Sequence, residues 1–530
     1  MQVVLLIVSE QMESSDPDNQ IQESQAGNER DRLVGEQRLM HDRLTKIAAL
    51  RELGIDPYPR SYRRTHTTAE AVKLLEAAEA SHDDPEEHAR TEPVSVAGRI
   101  MARRGMGKAS FIDLKDGSGR IQLFARENIL GDKFELLDLL DLGDIVGASG
   151  AVVRTRRGEP SVEITDLVVL TKAIRPLPDK WAGLQDIEAR TRQRYLDLIS
   201  NDRAMRNALL RPAIVASIRK FMQGRGFVEV ETPVLVPVAA GASARPFTTH
   251  HNTLNRGLYL RIATELPLKK LMVGGIEKVF EIGRLFRNEG VDQDHNPEFT
   301  TMESYEAYAD YEDVMAMVEQ LVSTVALETT GSMLLKAPEE GGPDIDLTPP
   351  WPRLDLRQEI IKRTGIDFVE CDDVESLSGA MRERGIHVEP GLSWARLLDK
   401  VISSSVEPHL FQPSFLVDYP VAMSPLAKRK PGVDGIVERF EAFVLGHEMA
   451  NAFTELNDPV DQRARFEEQE SMRKDFKDDE ADRLDEDFLV AIEHGMPPAG
   501  GLGIGIDRLA MLICREESIR EVILFPQLRN

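Results

Sequence analysis

The spacing of apolar residues divides the chain into segments of different character. Between residues 31 and 53, Leu33, Leu39, Leu44, Ile47 and Leu50 recur near helical spacing, and Gly54 and Pro57 end the run. This predicts an amphipathic helix. A second helix is predicted over residues 67–80, before a polar loop at 81–92. The period then falls to two. Residues 94–100, 110–114, 120–124, 144–148 and 161–164 read as short strands, separated by turns at Asp116-Gly117-Ser118-Gly119 and Arg157-Gly158, with a short helix at 134–140. Five strands with one helix after the third predict an OB-type barrel. Arg175-Pro176-Leu177-Pro178 marks a linker, and the remainder mixes long helical patterns with strands.

The expected organisation is a tail at 1–30, a helical extension at 31–93, the barrel at 94–173, a linker at 174–198 and one large domain at 199–530. Residues 1–30 are rich in Gln, Ser, Asp, Glu and Asn, with Arg30 the only basic residue, and read as a disordered acidic tail. The apolar run from Val3 to Val8 lacks a basic flank and a small-residue cleavage site, so a signal peptide is not expected. No stretch approaches the ~18 apolar residues of a membrane span. Two distant cysteines, Cys371 and Cys514, exclude a disulfide framework and a zinc–thiolate site, and suit a reducing, cytoplasmic setting.

Charge changes the picture locally. The net charge is −25, yet residues 94–172 hold 12 basic and 11 acidic side chains, so nearly all the acidity lies elsewhere. A polyanion would dock on the barrel, where Arg99, Arg103, Arg104, Lys108, Arg154, Arg156 and Arg157 gather; the alternative is solvated loop charge on a structural barrel.

Three segments of the large domain carry chemistry. A helical pattern through Ile214, Ile218, Phe221 and Met222 is capped at Gly226 and passes into an extended run ending at Pro233. In the second, Phe280 to Glu289 returns through Asp294–Pro297 to Thr301-Met302-Glu303-Ser304-Tyr305. Period-two alternation puts Arg287 with Glu289 on one face and Glu303 with Tyr305 on another, and the two strands are expected to pair. An Arg, two Glu and a Tyr together suit a charged ligand, a solvated hairpin being the alternative. In the third, Asn451, Phe453 and Glu455 alternate onto one face, and the glycine-rich turn Gly500–Gly505 leads through Arg508 into an apolar helix. Such glycines let backbone approach a ligand or let helix and sheet pack closely.

These segments resemble motifs 1, 2 and 3 of class II aminoacyl-tRNA synthetases, and residues 31–530 resemble the bacterial lysyl-tRNA synthetases. Ala97-Gly98-Arg99-Ile100, Ala244-Arg245-Pro246-Phe247, His250-His251-Asn252 and Ile523-Leu524-Phe525-Pro526 fit the same family. The resemblance implies an α+β chain, an N-terminal OB barrel followed by a catalytic domain built on an antiparallel sheet flanked by helices. It implies a homodimer that makes lysyl-adenylate from L-lysine and ATP with Mg2+, then charges tRNA(Lys). Arg287 would hold the α-phosphate and Arg508 the γ-phosphate, as the catalytic residues. Glu289, His295, Asn296 and Phe299 would meet the rest of ATP, and Glu441 and Glu448 would bind the metal. Gly241, Glu265, Asn451 and Gly503 would surround the α-amino and carboxylate groups of lysine, and Glu303, Tyr305, Phe453 and Glu455 its side chain. Phe111 and Gln122 would read the anticodon. Two carboxylates and a phenol favour a cationic substrate over the acidic one of related enzymes. His447 and Ala452 depart from the family's Arg and Gly, and Ala240 from a common double Gly. A paralogue that lysylates proteins would generally lack the barrel, and a non-catalytic tRNA-binding relative would not need Arg287, Glu441, Glu448 and Arg508.

Overall fold

A computed structural model describes residues 17–81, 89–178, 186–242, 244–339, 341–476 and 484–528. Most of the expected tail, most of the polar loop and part of the linker lie outside them. Two compact units divide the chain at residues 183 and 184.

In the first unit, helix α1 (Pro17–Glu52) starts inside the stretch expected to be a tail. Proline suits the first turn of a helix, and the Gln- and Glu-rich sequence that follows has good helix propensity. Helix α2 (Thr68–Ala80) begins at a capping box formed by Thr67 and Glu70. The strands β1 (Arg90–Met106), β2 (Ala109–Lys115), β3 (Arg120–Arg126), β4 (Ile145–Arg154) and β5 (Pro160–Thr171) close a barrel in the order β1-β2-β3-β5-β4. All neighbours are antiparallel except β3 and β5. A short helix and a 3-10 turn follow β3, so the OB topology expected from strand spacing is present. The inward positions Val96, Ile112, Leu114, Leu123, Val146 and Ile164 form its core, and Leu50, Ala71 and Leu75 of the two helices join it. Arg43 of α1 donates to the carbonyls of Leu142 and Ala173.

The second unit is built on one eight-stranded sheet. Its strands are β6 (Val228–Glu229), β7 (Lys278–Phe286), β8 (Glu298–Ala307), β9 (Arg353–Asp355), β10 (Ser414–Val417), β11 (Arg439–Val444), β12 (His447–Thr454) and β13 (Ala499–Gly505). They lie in the order β9-β10-β11-β12-β13-β8-β7-β6, antiparallel throughout except at the two edge pairs. Helices α3 (Asp202–Gly224), α4 (Glu265–Val273), α5 (Tyr311–Thr330) and α6 (Ile506–Cys514) flank it. Ile214, Ile218 and Met222 of α3 and Val318, Leu321 and Val322 of α5 share a core with Phe280, Met302, Ala450 and Ile504 of the sheet. Those sheet residues alternate along their strands, which leaves the opposite face free to carry polar side chains. A helical insert at residues 356–405 packs on Leu416 and Phe443 as a core of its own.

Candidate active site

On the other face of the sheet a cavity of about 470 Å³ is lined by every residue that the sequence analysis assigned to lysine, ATP or metal. The hairpin β7–β8 supplies one wall. Its pairing runs from Lys278↔Glu306 to Phe286↔Glu298, so Glu303 and Tyr305 project together from β8. Arg287 and Glu289 do not lie on the strand as expected, because β7 ends at Phe286 and the chain turns there, the Arg287 N–H donating to the carbonyl of Pro297. The turn still delivers both to the cavity.

One end of the cavity is closed and acidic. Glu303 accepts from the Thr264 N–H at 3.0 Å and from the Tyr305 hydroxyl at 3.2 Å. Burial pushes its carboxyl up to about 7, against the Thr264 N–H, which favours the charged form. Glu455, just past β12, is wholly buried. It contacts the ammonium of Lys269 on α4, which also donates to Glu265 at 2.5 Å. Neither carboxylate oxygen of Glu455 has a hydrogen-bond partner of good geometry. The space it occupies exists because residue 501 lacks a side chain: a Cβ there would stand 1.7 Å from Glu455 Oε1. The run from Gly500 to Gly505 is thus a central strand rather than the glycine-rich turn expected from its composition. Gly241 has φ +90, a conformation glycine adopts without strain, and a Cβ on it would press on Ala263.

The other end is cationic. The Arg287 guanidinium lies 5.2 Å from the Phe299 ring, and its Nε is buried without a partner. Arg508, in the first turn of α6, donates to the Glu448 carbonyl at 2.7 Å and to its carboxylate at 3.1 Å. Asp507 beside it is fixed by Arg211 at 2.5 Å and the Thr300 N–H at 2.8 Å. Glu441 accepts from Arg439 at 2.6 Å and from the Tyr419 hydroxyl at 2.8 Å. Burial holds its carboxyl above the usual range and Glu448 adds to this, while Arg439 opposes it. His295 is exposed and bonds Asp292 at 2.9 Å. The Asn296 amide is committed to backbone, donating to Glu298 O and accepting from the Gln527 N–H.

In the barrel, Phe111 stacks on Phe124 with centroids 4.7 Å apart, and Arg126 covers Phe124 at 5.3 Å. Gln122 shares this face, since Asp113 pairs with it across the same two strands, and it accepts from Ser161 at 3.1 Å. Part of the expected basic cluster serves the barrel itself: Arg154 clamps Glu79 at 2.5 and 2.6 Å, and Arg99 donates to Gly143 O.

Three cations, one partly and two fully buried, carry no role in the sequence reading. Arg439 also bonds Asn451 at 3.0 Å, and Arg261 bonds Glu281 at 2.5 Å beneath the hairpin. Lys269 is the third. Arg439 was open to the reading that found Asn451, because both flank the Glu441 segment; Lys269 and Arg261 carried no such signal.

Comparison with known proteins agrees with this architecture. The family described as tRNA synthetases class II (D, K and N) matches residues 186–529, and the OB-fold nucleic acid binding domain matches residues 94–170. The chain is similar to the lysine–tRNA ligase of Dehalococcoides mccartyi, 52% identical over 93% of this chain and 98% of the relative. It is 50% identical to that of Moorella thermoacetica, over 94% and 99%, and 52% identical to that of Roseiflexus castenholzii, over 93% and 98%. A two-segment architecture matched end to end at this identity leaves one conclusion: the chain belongs to the class II tRNA synthetases, in the family of the lysine–tRNA ligases.

Proposed function

We propose that the cavity activates L-lysine with ATP and passes the lysyl group to the terminal adenosine of tRNA(Lys). The observation that carries the reading is the polarity of one cavity, with buried carboxylates Glu303 and Glu455 beside Tyr305 at its closed end and Arg287 and Arg508 at the other. Glu303, Tyr305 and Glu455 receive the ε-ammonium; Glu265 and Asn451 orient the α-amino and carboxylate groups, with Gly241 and Gly503 leaving room. The lysine carboxylate oxygen attacks the α-phosphorus, the bond to the bridging oxygen breaks and pyrophosphate departs. No protein nucleophile or base is required, because the attacking carboxylate is already ionised; positioning and fixed positive charge carry the rate. Arg287, with an unpartnered buried Nε, meets the equatorial oxygens, Phe299 stacks on adenine beside Glu289, and Arg508 and His295 hold the distal phosphates. A ribose hydroxyl of the tRNA then attacks the mixed anhydride carbonyl and AMP leaves.

The family's use of ATP with Mg2+ fits this donor set. Glu441 and Glu448 are hard oxygen donors on neighbouring strands, and burial disfavours charge on Glu441 in a way that a cation relieves. When bound with ATP, Mg2+ neutralises phosphate charge; the protein's part is to hold the two carboxylates, with Arg439 and Tyr419 fixing Glu441 and Arg508 fixing Glu448. The Phe111–Phe124 face of the barrel supports anticodon binding by stacking. Exposed Leu209, Val228, Val234 and Leu235 around motif 1 support a C2 homodimer. Among the described residues no helix is long and apolar enough to cross a membrane. The cytoplasm, the usual setting of aminoacyl-tRNA synthetases, is the setting proposed for this chain.

Lysine-dependent exchange of pyrophosphate into ATP tests the reading. Glu455→Gln keeps the shape and removes the charge; breaking a buried pair costs roughly 3–5 kcal/mol, so KM for lysine rises by about 10²–10³ while KM for ATP holds. An unchanged lysine KM places the ammonium elsewhere.

A further inference from the structure

The closed end of the cavity already contains an ammonium group, and it belongs to the protein. Lys269 is 0% exposed. Its Nζ contacts Glu455 and Glu265, and lies 5.4 Å from the ring centre of Phe453, 5.8 Å from Tyr305 and 6.0 Å from Phe488. An internal lysine with two carboxylates and three aromatic faces has no route to water. It is not a surface pair that folded inward by chance.

The titratable groups facing this spot come from three elements. Helix α4 brings Lys269 and Glu265, β8 brings Glu303 and Tyr305, and the end of β12 brings Glu455. Three carboxylates against one ammonium leave two negative charges, and a bound lysine carries two ammonium groups. Glu455 lines the cavity, and neither of its oxygens has a hydrogen-bond partner of good geometry. Lys269 contacts Oε2 and leaves Oε1, which faces Gly501, as the oxygen without a cation.

We infer that Lys269 is a positioning residue for lysine selection, an internal counter-cation that favours the ionised form of Glu455 and holds it turned so that its second oxygen meets the substrate ε-ammonium. The inference rests on the proposed lysine site. Burial opposes charge on both partners and pushes the Glu455 carboxyl up to about 8; Lys269 limits that rise, and Lys269 itself, although burial opposes its charge, is held above its ordinary value by Glu265 and Glu455. Without the cation the Glu455 carboxyl rises further, and the group stays protonated to higher pH. A neutral acid offers no charge to an ammonium, so lysine binding must then release that proton and weakens as pH falls.

The test is pyrophosphate exchange over lysine titrations from pH 7 to 9, at saturating ATP and magnesium, for wild type and Lys269→Met, with Glu455→Gln alongside. Above about pH 8, where wild-type Glu455 is ionised, the ratio of variant to wild-type lysine KM should shrink by up to tenfold per pH unit, with kcat and KM for ATP little changed. A purely structural role for Lys269 would leave the ratio independent of pH, which overturns the inference. Should Glu455→Gln leave lysine KM unaltered, the lysine site itself is wrong; should Glu455→Gln fail lysine while the Lys269→Met ratio stays flat, only the role of Lys269 is wrong. Calorimetry on the wild type keeps the test open if Lys269→Met does not fold. Lysine binding at pH 8, measured in two buffers of different ionisation heat, should release about half a proton or less per site, and release of nearly a whole proton overturns the inference.

Discussion

Gly501→Ala probes the packing behind lysine selection with a single methyl group. Gly501 pairs with Tyr305 on one side and Phe453 on the other, so its strand cannot step aside. The new Cβ would stand 1.7 Å from Glu455 Oε1 and 2.7 Å from Tyr305 Cε1. Glu455 must therefore move by more than an ångström. If the carboxylate swings within its pocket, the cost is that of overpacking, roughly 1–3 kcal/mol. If it leaves Lys269 altogether, a buried ion pair breaks, at about 3–5 kcal/mol. Either way the oxygen proposed to receive the substrate is displaced, and lysine KM should rise by about 10- to 1,000-fold. Arg287, Phe299 and Arg508 are untouched, so KM for ATP should hold. Lysine titration in the exchange assay reads the effect, and thermal unfolding shows a loss of about 2–4 °C per kcal/mol for a domain of some 150–250 residues. Glu455→Asp withdraws the carboxylate from the added methyl, so the double variant should be less damaged than the two single effects combined. A folded Gly501→Ala protein with wild-type lysine KM would refute the assignment of Glu455.

Three further outcomes are expected. Phe111→Ala should weaken tRNA charging by roughly 1–3 kcal/mol per lost stack and leave tRNA-independent pyrophosphate exchange nearly untouched; equal damage to both reactions would contradict the division of labour. The Glu303 carboxyl, pushed up to about 7, is neutral at lower pH and offers no charge to an ammonium, so lysine KM should fall as pH rises through that value and then level off, a profile that Glu303→Gln abolishes. A chain starting at Asp31 should fold and aminoacylate like the full chain, because the buried residues described on α1 are Arg43, Ile47 and Leu50; a large loss of charging would mean that the removed segment docks.

The barrel was legible because β2, β3 and the middle of β1 bury alternate residues on a single face, which writes period two directly into the sequence, while β4 and β5 read as strands from their apolar, β-branched runs. The site was legible as three segments whose polar residues have no partner in local structure. Their assembly was not, because neighbouring strands of the sheet come from distant parts of the chain. Arg287 and Glu289 reach the cavity from a turn, although strand alternation was the reason for grouping them. The residues 500–505 looked like a loop because glycine is depleted in strands; here its smallness makes room for Glu455, Tyr305 and Val314. Lys269 was hidden by spacing. Glu265 and Lys269 stand four apart on a helix, the signature of a solvent-exposed pair, and only tertiary structure turns that pair inward.

The position of β13 has a consequence for how the chain reaches this state. The strand enters between β8 and β12, although nearly two hundred residues separate it from β8. Until it is in place, the sheet is two pieces, each with a bare edge of unpaired N–H and C=O groups and an unfinished core. Contacts of such long range close slowly and expose sticky intermediates. A chain stalled before residue 499 would hold the Glu303 wall of the cavity apart from the Glu441 wall, without the strand against which Glu455 packs and with two edges open to aggregation. Completion of the sheet and closure of the cavity's acidic end are therefore one event.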